Sequence, residues 1–116
     1  IQYVTSPAYH LEYEKTERYR AAEFANGHYR QVEFAGILKG SKNPERAREF
    51  IDFMLSEDFQ DAIPLTNWMF PVIQYQPLPD SFRVAPQPKT VAELDPSRVR
   101  DQNSRWLKDW SRSRSR

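Results

Sequence analysis

The chain has 116 residues, 39% hydrophobic and 28% charged, with 17 Lys and Arg against 16 Asp and Glu. A net charge of +1 gives no bulk electrostatic case for nucleic acid or for a membrane surface. The absence of cysteine excludes disulfides and cysteine-ligated metal, and no apolar run approaches the ~18 residues of a membrane-inserted helix. This is the composition of a globular chain on the polar side. Because it begins with Ile1 rather than methionine, it is expected to be a piece of a longer protein.

Tyr3 to His10 reads as an extended tip running into a helix. Ser6 suits the N-cap, where its hydroxyl accepts a first-turn amide, and Pro7 suits the first helical position, where no amide hydrogen is needed. Free N–H groups and a positive dipole end at that terminus would hold an anion. Tyr3 and Tyr9 bracket it. The helix is expected to run from Pro7 to about Arg20, with Leu11, Tyr13 and Tyr19 apolar and Glu12, Glu14, Lys15, Glu17 and Arg18 solvated. His10 and Glu14 share a face at a spacing compatible with metal ligation, but no third ligand is visible and a surface His–Glu pair is the commoner arrangement. Asn26-Gly27 marks a turn.

Tyr29 to Lys39 predicts a strand, since Val32, Phe34 and Leu38 alternate with Gln31, Glu33 and Lys39. Gly36 within it marks a bulge or a close backbone contact. Ser41 to Leu55 predicts a helix: Asn43 caps, Pro44 follows, and Glu45 suits the positive end. Ala47, Phe50, Ile51, Met54 and Leu55 form one apolar stripe, which reads as scaffold. Ser56 caps a second, shorter helix with Phe59, Ala62 and Ile63 facing inwards, ended by Pro64.

The next stretch, Asn67-Trp68-Met69-Phe70-Pro71-Val72, is too short for a helix and is bracketed by Pro64 and Pro71. Proline stiffens such a segment. Trp68 on it is either a ring displayed for binding or a plug in the core. Val72 to Thr90 is a proline-rich strap. Asp95-Pro96 opens a last helix whose Val99, Trp106, Leu107 and Trp110 share a packing stripe. Ser111 to Arg116 reads as a frayed, solvated helix end rather than an RNA-binding tail.

No nucleophile elbow, complete metal-ligand set or glycine-rich phosphate loop occurs, so no catalytic residue and no metal ligand is assigned. The residues favour a binding protein over an enzyme.

The two stretches YVTSPAYH and AIPLTNWMFPV, with HYRQVEFAGILKGSKNPERAREFIDFMLSEDFQ between them, resemble the C-terminal part of the periplasmic thiamine-binding receptors of bacterial ABC importers, in the type II periplasmic-binding-protein family. The likeness runs from Tyr3 to about Trp110. It implies an α/β fold, here the C-terminal fragment of a two-lobed receptor, helix-rich with few strands. It further implies that residues 1–40 end the second lobe and carry the return crossover strand, with Gly36 or Gly40 as hinge positions. Residues 41–116 would then be the helical C-terminal part packing on the first lobe. The implied ligand is thiamine or its phosphates, without a cofactor, and the implied partner is the membrane permease, with a periplasmic location. Matching the family's ligand segment are Tyr3, Val4, Thr5 and Ser6; matching its aromatic contacts are Tyr9 and Trp68. Val4 stands where close relatives tend to have a hydroxyl residue. Two alternatives remain open: a receptor of the same fold for ferric iron or a polyamine, and a module whose aromatics bind a protein partner.

Overall fold

Prolines and small polar residues set where the helices begin. The computed structural model describes residues 2–114, in which α1 spans Ser6–Glu14, α2 Pro44–Met54, α3 Glu57–Thr66 and α4 Pro96–Arg114, with a 3₁₀ turn at Asp80–Val84. Asn43 stands at the N-cap position of α2 and Pro44 opens it, as expected, but the Asn43 side chain accepts no first-turn amide. The first turn of α2 carries an ion pair, Arg48 to Glu45 at 2.6 Å. Ser56 caps α3, its hydroxyl accepting the Phe59 N–H at 3.4 Å.

Ahead of α4, Asp95 accepts both the Ser97 N–H at 2.9 Å and the Ser97 hydroxyl at 2.6 Å. These bonds hold its carboxyl below the ordinary aspartate value, the Ser97 side-chain bond first. A lowered folded pKa stabilises above the ordinary value of about 3.9, and the contribution is lost as pH falls through the lowered one. Amide protection factors at Ser97 and Arg98 are therefore expected to fall on acidification through that window. Asp95→Ala should show the low protection already at neutral pH. Equal protection in both proteins at neutral pH would remove Asp95 as the start signal of α4.

Several expectations are corrected. The cap of α1 is Thr5, without a side-chain bond, and Ser6 is already helical. The helix stops at Glu14 rather than near Arg20, because Lys15 takes a left-handed conformation (φ 52°). The chain then folds back: Tyr19 lies over His10 at 4.1 Å between ring centres, and Glu17 pairs with Arg83 of the 3₁₀ turn. Pro64 does not end α3 but sits within its last turns. There it removes only one backbone bond, and the Thr66 hydroxyl, donating to the Ala62 carbonyl at 2.7 Å, helps close the end.

The predicted strand is absent as well. Among the described residues the only bridge pairs His28 with Val91, in parallel, held by the His28 N–H to the Thr90 carbonyl and the Ala92 N–H to the His28 carbonyl. Gly27 turns into it at φ +91°, where an added Cβ would meet the backbone of residues 90–92 at about 3 Å. Beyond the bridge, residues 29–38 form no ladder, with Phe34 90% and Leu38 82% exposed. Alternation describes a segment ready to pair, and pairing needs a neighbour strand that the described residues do not offer.

The scaffold stripe of α2 behaves likewise. Phe50 and Leu55 are exposed, and no residue of the helix is fully buried. In α4, Trp106, Leu107 and Trp110 are exposed rather than packed, with the Arg114 guanidinium 4.7 Å from the Trp110 ring. That helix continues through Arg114, and residues 115 and 116 of the closing Ser-Arg tail lie outside the described residues.

Both shape and surface fit this pattern. The radius of gyration is 18.1 Å, against about 13 Å for a compact domain of this length. The accessible surface is 10134 Å², against roughly 6,600 Å² for a compact monomer of this mass. The hydrophobic core is correspondingly small: Ala8 of α1 with Phe82 and Ala85 of the strap, flanked by Trp68, Phe70, Leu78 and Val84. The 3₁₀ turn that delivers Phe82 was not legible in the proline-rich stretch. It is what packs the strap against α1.

Candidate functional site

The core and the two aromatic stretches coincide. Ala8 is fully buried at the foot of α1, which leaves Tyr9 and Tyr13, one turn apart, on the adjoining face. Their rings meet at 5.0 Å. Across from them stands Trp68, edge-to-face with Tyr9 at 5.1 Å and 78°, and with Tyr13 at 5.7 Å and 64°. Phe82 lies behind the indole with nearly parallel planes, 6° apart, at 6.1 Å. Phe70 meets Phe82 edge-on at 5.6 Å. Edge-to-face and offset pairs at these separations are each worth about 0.5–1.5 kcal/mol beyond area burial.

Trp68 owes its place to how α3 ends. Asn67 closes the helix, its N–H donating to the Ile63 carbonyl, and Trp68 follows at φ 55°. Glycine is the usual residue in that left-handed position, and a side chain there costs roughly 1–2 kcal/mol. Such strain persists where surrounding structure over-determines it, often at binding sites. The two readings of Trp68 are thus not exclusive: it is half-buried on the core and still borders two exposed tyrosines.

The remaining residues of the first stretch are arranged differently. Tyr3 is exposed, and its hydroxyl donates to Gln31 Oε1 at 3.0 Å, away from the ring cluster. Val4 is half-buried, Thr5 is buried, and Ser6 is half-buried with its hydroxyl donating to Gln2 Oε1 at 3.3 Å. The first amides of α1 are largely used internally. Ser6 N–H donates to the Tyr3 carbonyl at 3.0 Å, and Ala8 and Tyr9 N–H donate to the Thr5 carbonyl at 3.0 and 3.4 Å. The open set of helix-end donors expected from the Ser6-Pro7 pattern is therefore reduced, although the dipole end remains.

Sequence reasoning missed three members of the cluster, Tyr13, Phe82 and, two residues after Trp68, Phe70. The spacing of Tyr9 and Tyr13 was a signal for the first; nothing in the strap signalled the second. His10 Nδ1 lies 2.9 Å from Glu14 Oε1, as the four-residue spacing implied. Among the described residues no three His, Asp or Glu side chains gather as metal ligands. What the arrangement offers chemically is π-faces and phenol edges beside a helix N-terminus. Those suit a flat or cationic ring better than a metal or a reacting carbonyl.

Comparison with known proteins agrees with the sequence resemblance. A family model described as bacterial extracellular solute-binding protein matches residues 3–109. The thiamine-binding periplasmic protein of Escherichia coli is 46% identical over 116 residues, which is 100% of this chain and 35% of the relative. The protein of the same name from Brucella suis is 42% identical over 118 residues, with the same coverage. That of Haemophilus influenzae is 36% identical over 110 residues, or 95% of this chain and 33% of the relative. A solved periplasmic thiamin binding protein superposes with a TM-score of 0.79 at 46% identity, over 97% of this chain and 35% of that one. The chain thus spans about a third of the length of the curated relatives it matches, at their C-terminal end. On these grounds the chain belongs to the bacterial extracellular solute-binding protein family.

Proposed function

We propose that this chain is the C-terminal part of a periplasmic receptor that captures thiamine, and thiamine phosphates, between two lobes and hands it to the permease of an ABC importer. The role is binding rather than catalysis, with thiamine as cargo and no cofactor. The observation that carries this reading is the contact of Tyr9 with Trp68 at 5.1 Å, formed between stretches 59 positions apart (68 less 9). Thiamine presents a flat heterocycle with a fixed positive charge, which aromatic faces attract by roughly 0.5–2 kcal/mol per ring. A few rings cannot reach the ~8 kcal/mol of micromolar affinity. In this reading the remainder comes from the rest of the receptor, whose lobes close over the ligand and expel water. Residues 1–40 end the second lobe, and residues 41–116 pack on the first.

Tyr9 and Trp68 contact the heterocycle in this proposal, and Tyr3 joins them on lobe closure. Val4 contributes through its backbone. Thr5 and Ser6 lie towards the phosphate end of the ligand, where the dipole of α1 favours negative charge. Ser6→Ala is therefore expected to weaken thiamine monophosphate several-fold more than thiamine in calorimetric titrations of the full-length receptor. Equal losses would move the phosphate away from α1. The reading as a whole is tested by titrating the full-length receptor with thiamine, ferric iron and spermidine. Saturable binding of thiamine alone is expected, whereas a preference for iron or the polyamine would overturn the assignment.

A further inference from the structure

The geometry points to Gln60 as a positioning residue that sets the orientation of Trp68, an inference that rests on the ligand role of Trp68 proposed above. Gln60 belongs to α3, two turns before Trp68, and is buried to 3% exposure. A glutamine amide so enclosed needs partners, because each unpaired polar atom there costs a desolvation penalty. It has three. Its Oε1 accepts the Val72 N–H at 2.9 Å and the Ile73 N–H at 3.2 Å, and its Nε2 donates to the Met54 carbonyl at 2.6 Å.

These bonds tie down the segment that carries the indole. The segment leaves α3 at Asn67, whose N–H is bound to the Ile63 carbonyl. It is held again at Val72 and Ile73 by the side chain of Gln60. Both ends of the Trp68 loop are thus fastened to the same helix, five residues apart (72 less 67). Between them Trp68 adopts φ 55°, a conformation that a free loop would leave. The Met54 bond in turn fixes the amide from the end of α2, so that the oxygen rather than the nitrogen faces the loop. The acceptor is the working half of the side chain, and the donor orients it.

That division of labour gives a test which a purely structural role would fail. In the full-length receptor, Gln60→Glu keeps an acceptor for Val72 and Ile73 but loses the amide donor. Gln60→Met keeps the volume and loses both. Both variants are expected to lower the unfolding temperature. Thiamine affinity by calorimetry should fall about tenfold or more in Gln60→Met and less than about threefold in Gln60→Glu. The Trp68 indole N–H resonance, assigned through Trp68→Phe, should move in Gln60→Met and stay in Gln60→Glu. Affinity losses that simply follow the two melting temperatures, or an unmoved indole resonance in Gln60→Met, would overturn the positioning role. Should Gln60→Met not fold, Gln60→Glu decides: near-wild-type affinity despite a lower melting temperature supports the inference, and a tenfold loss overturns it. If the wild-type receptor binds no thiamine, the functional reading fails by itself. The indole resonance then still reports on Gln60.

Discussion

Replacing Trp68 by alanine in the full-length receptor is expected to weaken thiamine binding by about 1–3 kcal/mol, through lost stacking and cation–π attraction. The structure sharpens why. Trp68 is held between the Phe82 ring behind it and the edges of Tyr9 and Tyr13 beside it, so its loss also removes the support that orients the tyrosines. Rigid aromatics of this kind contribute at low entropic cost, because the site is ordered before the ligand arrives. Calorimetry on wild type and variant measures the effect. Unchanged affinity would take Trp68 out of the site and leave it a core residue only.

The second large effect concerns Phe82, 4% exposed in a core where the other buried hydrophobics are alanines. Phe82→Ala is expected to destabilise the folded receptor by about 3–5 kcal/mol, the usual range for a buried phenylalanine. No neighbouring large side chain stands ready to fill the space, since Trp68 and Phe70 are themselves fixed against this ring. Urea denaturation followed by far-ultraviolet circular dichroism gives the value. Phe82→Leu should recover much of the stability, because it restores apolar volume, but not the parallel platform under the indole. It is therefore expected to bind thiamine less tightly than wild type at near-wild-type stability. A cost below about 1 kcal/mol for Phe82→Ala would mean that the strap does not hold the site together.

Local signals in the sequence were legible where a single residue type decides the backbone. Asn43-Pro44, Ser56 and Asp95-Pro96 each start a helix, and Asn26-Gly27 makes its turn with Gly27 at positive φ. The pairing of Tyr9 with Trp68 was legible too, through resemblance and through the stiffness of the second stretch. What failed were inferences needing a neighbour. Residues 29–39 alternate as a strand does, but a strand exists only when something pairs with it. The stripes of α2 and α4 are apolar as scaffold stripes are, yet Phe50, Leu55, Trp106 and Trp110 remain uncovered among the described residues. Local rules misjudged Pro64 for a related reason: near a helix end, a proline costs one bond rather than the helix. Phe82 was invisible because proline-rich strings carry no period from which burial can be read.

Of all measurements, comparison of thiamine with its neutral thiophene counterpart bears most directly on the proposed site. The two ligands share shape and hydrogen-bonding groups and differ in the fixed charge of the ring. If Tyr9 and Trp68 recognise that charge, the wild-type receptor binds thiamine more tightly by about 0.5–2 kcal/mol, and Trp68→Ala erases most of the difference. Equal affinity of the wild-type receptor for both ligands, or a preference that survives Trp68→Ala intact, would contradict recognition by these aromatic faces.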